Sequence, residues 1–259
     1  MMYQMNTVNL TTKTPDRYEV REAFKTLRTN ILFSGSDVKV ITITSSTQNE
    51  GKSFVSLELS KSLAEAGKKV LLVDADLRKS VLADKHVDSD DIVGLSHYLS
   101  GQANSDDIIY GTQYENFYIA FSGPYPPNPV ELLGSNRFSE MLDYYRTVFD
   151  YIIIDTPPLG LVIDAAVIAP QSDGVVLNIA SNHVSYRMVQ SVKAQLERSK
   201  CHILGAVLNM SESSHYGYKS YLLGSYRYPA KHYGNYYANE NNEQKHYAKL
   251  ASDSTKQQN

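Results

Sequence analysis

Apolar residues recur at Val20, Phe24, Leu27 and Ile31, spacings of 4, 3 and 4 that mark one stripe of a helix. Thr14-Pro15-Asp16 supplies its start signal, and Glu22, Lys25 and Arg28 project from a different side. A β-branched run from Val38 to Thr44 predicts a strand, Ser45 to Ser53 a polar turn, and Phe54 to Ala66 a helix closed by Gly67. Lys69 to Asp74 reads as a second buried strand. The alternation continues with strands at Asn116–Phe121, Tyr151–Asp155, Gly174–Ile179 and Ile203–Asn209, and with helices near Val130–Tyr145 and Val184–Arg198. Unbroken apolar strands alternating with helices predict an α/β fold: a doubly wound, mostly parallel sheet flanked by helices.

After Asn209 the periodicity stops. Between Tyr216 and Tyr237 stand eight tyrosines (Tyr216, Tyr218, Tyr221, Tyr226, Tyr228, Tyr233, Tyr236 and Tyr237), interrupted by glycine and proline. Asn, Gln, Lys and Ser then dominate to the last residue, so the segment has too few aliphatic side chains to offset its ordering entropy. The expected organisation is a flexible N-terminus over 1–15, one domain over 16–210, and a tyrosine-rich disordered tail over 211–259. The tail explains the one anomaly of composition, 20 Tyr against 7 Phe and no Trp. A net charge of −3 offers no basic excess for nucleic acid or an anionic membrane. The single cysteine, Cys201, excludes an internal disulfide and suits a reducing compartment. The most apolar stretch, 151–170, is broken by Asp155, Pro157, Pro158 and Asp164, and the first residues lack a secretion signal. A cytoplasmic protein without direct membrane insertion is expected.

Three motifs carry chemistry. Ser46-Thr47-Gln48-Asn49-Glu50-Gly51-Lys52-Ser53 fits a P-loop, with Ser46 where the first glycine usually stands. Between strand and helix, its backbone N–H groups curl around phosphate oxygens, Lys52 reaches the β- and γ-phosphates, and the Ser53 hydroxyl binds Mg2+. Tyr151-Ile152-Ile153-Ile154-Asp155 has the form of a Walker B strand ending in a carboxylate for the Mg2+ shell. Val70 to Arg78 places Asp74 and Asp76 just past a buried strand, pointing into the ligand crevice of an open sheet. Arg78 and Lys79 follow, either as counter-charges for phosphate, the reading preferred, or as solvated residues of a turn. The three motifs in this order predict binding of a nucleoside triphosphate with Mg2+.

Together with the second acidic motif, the run Ser122 to Leu133, Asp155-Thr156-Pro157-Pro158 and the tyrosine cluster, these motifs resemble the bacterial tyrosine kinase family over about residues 16 to 237. The type most similar is the separate cytoplasmic kinase of capsule and exopolysaccharide gene clusters. The resemblance implies a P-loop NTPase fold and an ATP-dependent kinase that phosphorylates its own tail tyrosines and those of other proteins. It implies Lys52, Asp74, Asp76 and Asp155 as catalytic residues, with Ser53, Asp74 and Asp155 at the metal. It further implies a membrane activator of the polysaccharide co-polymerase type, recruitment to the inner face of the membrane through that partner, and a ring of subunits. The family's Glu-x-x-Arg-x-x-Arg oligomerisation motif falls on Glu22, Lys25 and Arg28, where Lys25 lacks the bidentate fork of Arg. Asn49 occupies a usual glycine position, which Asn tolerates because it visits left-handed backbone readily. Asn209 reads either as an adenine contact, as in related P-loop ATPases, or as a simple strand terminus.

In-line phosphoryl transfer asks the protein mainly for positioning and charge stabilisation. A phenol with a pKa of about 10 needs a carboxylate beside it to take or guide its proton, and Asp76 is the first candidate. Two other readings share the motifs: a partitioning-type switch ATPase and a nucleotide-binding scaffold without kinase activity. The former carries a signature Lys five residues before the P-loop Lys, where this chain has Thr47.

Overall fold

The stripe read from the sequence forms the inner side of α1 (Tyr18–Leu32), with Ile31 buried. That side packs on α2 (Lys52–Glu65): the Phe24 and Phe54 rings meet edge to face at 5.7 Å, and Arg28 Nη1 donates to the Ser62 carbonyl at 2.8 Å. The computed structural model describes residues 6–11, 17–83 and 92–211. The start signal at 14–16 and the eight tail tyrosines lie outside the described residues.

The sheet has eight strands in the order β1-β4-β5-β3-β6-β2-β7-β8. They are β1 (Thr7–Val8), β2 (Val40–Ser45), β3 (Val70–Asp74), β4 (Tyr110–Thr112), β5 (Phe117–Ala120), β6 (Tyr151–Asp155), β7 (Gly174–Ala180) and β8 (Ile203–Asn209). All neighbours run parallel except β4 and β5. Every residue of β2, β3 and β6 is buried, which is why these segments read as unbroken apolar runs.

Helices cover both faces. On one, Phe138, Met141, Leu142 and Tyr145 of α5 (Asn136–Val148) pack on Leu71, Val73, Ile152 and Ile154. Beside them Val192 and Leu196 of α7 (Tyr186–Arg198) join Val175 and Leu177. The other face carries α2, which packs on β3 and β6 with Leu57, Leu59 and Leu63 buried. At about 25 cal/mol per Å² of apolar surface, a fully buried leucine of this kind stabilises by roughly 1.5–3 kcal/mol. Gly67 ends α2 at φ +78°, its N–H donating to the Ala64 carbonyl at 2.8 Å.

Two expectations change, and three short elements are added. The single helix near 130–145 is two, α4 (Pro129–Leu133) and α5, because Ser135 accepts the Phe138 N–H and caps a new start. The N-terminal segment expected to be flexible contributes β1, which pairs with β4. Leu10 is buried there, and its N–H and C=O are both satisfied by the Gln113 amide, at 2.8 and 2.7 Å. Three short pieces, α3 (Leu95–Leu99), α6 (Asp164–Ile168) and β4, have too few residues to show a period. Among the described residues no helix is long and apolar enough to cross a membrane.

What positions the site is the place of β6 between β3 and β2. Asp74 stands in register with Asp155, and Asp155 with Ile43. Three carboxyl ends, and the loops that follow them, therefore lie side by side.

Candidate functional site

The loop after β2 turns through residues 46–51 into α2. Asn49 adopts φ +61° and Gly51 φ +79°, so the asparagine takes the left-handed conformation expected of it. Gly51 is required twice over: its φ is one that side chains resist, and a Cβ there would lie 2.2 Å from Asn209 Nδ2. From the far side, Gly160 after β6 approaches so closely that a Cβ would stand 2.1 Å from the Ser46 carbonyl oxygen. The loop is thus clamped between β8 and the β6 loop.

At the first turn of α2, Lys52 Nζ lies 2.9 Å from Asp155 Oδ1 and 3.3 Å from Ser53 Oγ. Ser56 Oγ donates to the same Asp155 oxygen at 2.8 Å. Lys52 and Ser53 of α2 thus meet Asp155 of β6, about a hundred positions away in the chain. The Lys52–Asp155 pair is almost fully buried, and such a pair is a costly arrangement unless its charges have work to do.

The loop after β3 folds around its own carboxylates. Asp74 Oδ1 accepts the Asp76 N–H at 3.2 Å, and Asp74 Oδ2 accepts the Ser80 hydroxyl. Asp76 Oδ1 accepts the N–H groups of Arg78 and Lys79 at 3.2 and 2.9 Å. Burial, and then the nearby Asp155 carboxylate, push the Asp74 carboxyl well above the ordinary aspartate range. Burial also raises Asp76, against the pull of Lys52. Both groups take a proton more readily than a surface aspartate, and both gain if a cation arrives.

Two of the sequence-predicted ligands have partners within the protein. Arg78 Nε pairs with Asp164 Oδ1 at 2.9 Å in a buried ion pair that braces the acidic loop against α6. The Glu50 carboxylate is buried against Thr47 and Ala180, so only its backbone N–H remains for the cradle. Asn209 Nδ2 donates to the Glu50 carbonyl at 2.9 Å. On α1, Lys25 pairs with Glu22 at 2.7 Å on the exposed surface, whereas Arg28 is held by Ser62 as described above. Sequence reasoning missed Ser80, six residues from its partner Asp74, and also Ser56, Asp164, Asn178 and Gly160, whose roles depend on contacts distant in the chain and leave no local signal.

The donor set suits a polyphosphate with a hard cation. A lysine, a hydroxyl, the N-terminus of a helix and carboxylates of adjacent strand ends converge on one crevice. Ser46 Oγ and Asn49 Oδ1 are buried without a partner among the described residues, in the loop that would surround the phosphates. Among the described residues no group of three His, Cys, Asp or Glu side chains forms a closed metal cage. Mg2+ at phosphates needs none, since it keeps water and phosphate oxygens as ligands.

Residues 38–204 match the AAA domain family. The chain is 44% identical over 203 residues to the tyrosine-protein kinase CpsD of Streptococcus agalactiae, covering 78% of this chain and 89% of that protein. It is 36% identical to the tyrosine-protein kinase YwqD of Bacillus subtilis, covering 76% and 85%. Among solved structures, the kinase domain of Escherichia coli tyrosine kinase ETK superposes with a TM-score of 0.73 at 30% identity, over 80% of this chain and 85% of that one.

Proposed function

The chain belongs to the bacterial tyrosine-protein kinases, and we propose from the geometry above that it transfers the γ-phosphoryl group of ATP to tyrosines of its own tail and of other proteins. The observation that carries this reading is the meeting of Lys52, Ser53 and Asp155 at adjoining strand ends, beside Asp74. In it, Lys52 engages the β- and γ-phosphates, the loop backbone over residues 46–53 cradles them, and Ser53, Asp74 and Asp155 hold Mg2+. When bound, the ion supplies charge neutralisation at the transferring oxygens. Asp76 guides the phenol proton, a task that its raised affinity for protons suits. Asn209 borders the nucleotide from the end of β8.

The same reading extends to the assembly. The domain of residues 16–210 presents Glu22 and Lys25 on the exposed side of α1 to a neighbouring subunit. Tail tyrosines 216–237 are the acceptors, and a membrane protein of the polysaccharide co-polymerase type brings the kinase to the membrane and activates it. The regulated process is capsule or exopolysaccharide synthesis.

Incubation of the purified protein with ATP and Mg2+, followed by mass-spectrometric mapping of phosphotyrosine, tests the assignment. Phosphate on the 216–237 cluster is expected, faintly for the isolated protein and strongly once the cytoplasmic segment of the activator is added. Nucleotide binding without any phosphotyrosine, activator present, would favour the scaffold reading instead.

A further inference from the structure

Glu50 is 1% exposed, yet it carries a carboxylate. Burying such a group is costly unless hydrogen bonds replace its water. Here they do. Oε1 accepts the N–H and the hydroxyl of Thr47, the latter at 3.1 Å, and Oε2 accepts the Ala180 N–H at the end of β7 at 3.0 Å. The Glu50 carbonyl is also doubly used, accepting the Asn178 amide at 2.7 Å and the Asn209 amide at 2.9 Å. One residue inside the phosphate loop therefore joins that loop to the ends of both β7 and β8.

We propose that Glu50 is a positioning residue for nucleotide binding: its carboxylate ties Thr47 to Ala180 and so fixes the course of the phosphate loop, while its carbonyl seats Asn209 over Gly51. The loop needs such a tie. Ser46 and Asn49 stand at two positions where glycines would let the backbone settle, and the clasp supplies the conformation instead. Fixing the loop in advance spares a nucleotide the entropy of ordering it, and that gain is shared by ground state and transition state. The effect thus belongs to affinity, not to the chemical step.

This inference rests on the nucleotide-dependent kinase reading, and the experiment separates the two. Binding of a fluorescent ADP analogue with Mg2+ is measured for the full chain and for Glu50→Gln, whose amide must oppose its N–H2 to either the Thr47 or the Ala180 donor. The variant is expected to bind about tenfold more weakly, the worth of one charge-assisted hydrogen bond. KM for ATP should rise in parallel and kcat fall less than about threefold, a split that general loosening of the fold would not give. Should Glu50→Gln fail to fold, Thr47→Val removes only the hydroxyl donor and is expected to weaken binding by about threefold. Unchanged affinity in the folded variant, or a fall in kcat at unchanged affinity, overturns the role of Glu50. A wild-type chain that binds no nucleotide overturns the kinase reading itself.

Discussion

The two ends of one sheet treat their carboxylates in opposite ways. At the amino end, Asp173 just before β7 accepts the N–H groups of Lys39 and Val40 at 2.8 and 2.7 Å, and both its oxygens meet Arg146 Nη1, at 2.8 and 2.7 Å. Partial burial works against the charge there, but Arg146 and the two N–H groups override it and hold Asp173 below the ordinary aspartate value. At the carboxyl end, Asp74 has one N–H and one hydroxyl, a second carboxylate in register beside it, and a raised affinity for protons. A carboxylate given enough donors stays charged and stabilises the fold. One with too few is a cost to the empty protein, and that cost is relieved by an incoming cation.

The contrast predicts opposite pH signatures. Asp173 lies lower in the folded state than the ordinary 3.8, so its stabilisation is present above that value and is lost as pH falls through the folded one. Asp74 lies higher, so its favourable balance exists only below 3.8 and is lost as pH rises through its folded value. At neutral pH the first helps folding and the second opposes it.

Substitutions can break the comparison, and the largest effect is expected at the working end. Lys52→Met removes the charge proposed to engage the phosphates and should reduce tail phosphorylation by about a thousandfold or more while circular dichroism shows a folded domain. Retained phosphorylation would remove Lys52 from the site. Asp74→Asn should lower transfer by about a hundredfold yet raise the melting temperature of the nucleotide-free protein at pH 7.5 by about 2–4 °C. That gain should shrink toward pH 4, and a melting temperature that drops instead would show that Asp74 is structurally paid for. Asp173→Asn should do the reverse: a loss of about 2 kcal/mol in urea unfolding, with the affinity for ADP and Mg2+ unchanged. The smallest effect belongs to the exposed Lys25–Glu22 pair. Lys25→Ala should change stability by less than about 0.5 kcal/mol, so any change of mass in light scattering would report subunit assembly and not folding.

The parts of this architecture that could be read from the chain are those encoded locally. β6 and β8 carry their own apolar runs, and β8 begins and ends where its pattern does. The phosphate loop and the carboxylates at 74, 76 and 155 announce themselves because each motif is contiguous. Two-residue β1 and three-residue β4 have no period to detect, and β4 runs antiparallel to β5 because the turn over 113–116 reverses the chain between them. The same limit hides the second layer of the site. Glu50 meets Ala180 across 130 positions, and Arg78 meets Asp164 across 86. No spacing rule links such partners, so the ion pair of Arg78 Nε with a buried aspartate leaves no trace in the local sequence.

The seat of Asn209 over Gly51 has a consequence for competition among substrates. A trans-bonded chain spans at most about 3.5 Å per residue, so Tyr216 is anchored within roughly 25 Å of Asn209 and Tyr237 within roughly 100 Å. If subunits assembled as proposed, tyrosines tethered by this length of chain would meet the phosphate loops at an effective concentration on the order of millimolar, whatever the amount of kinase in solution. A free protein substrate at micromolar abundance is outnumbered until those acceptors are filled. The tail would then act as a timer, delaying phosphorylation of other proteins by the number of turnovers its own tyrosines absorb.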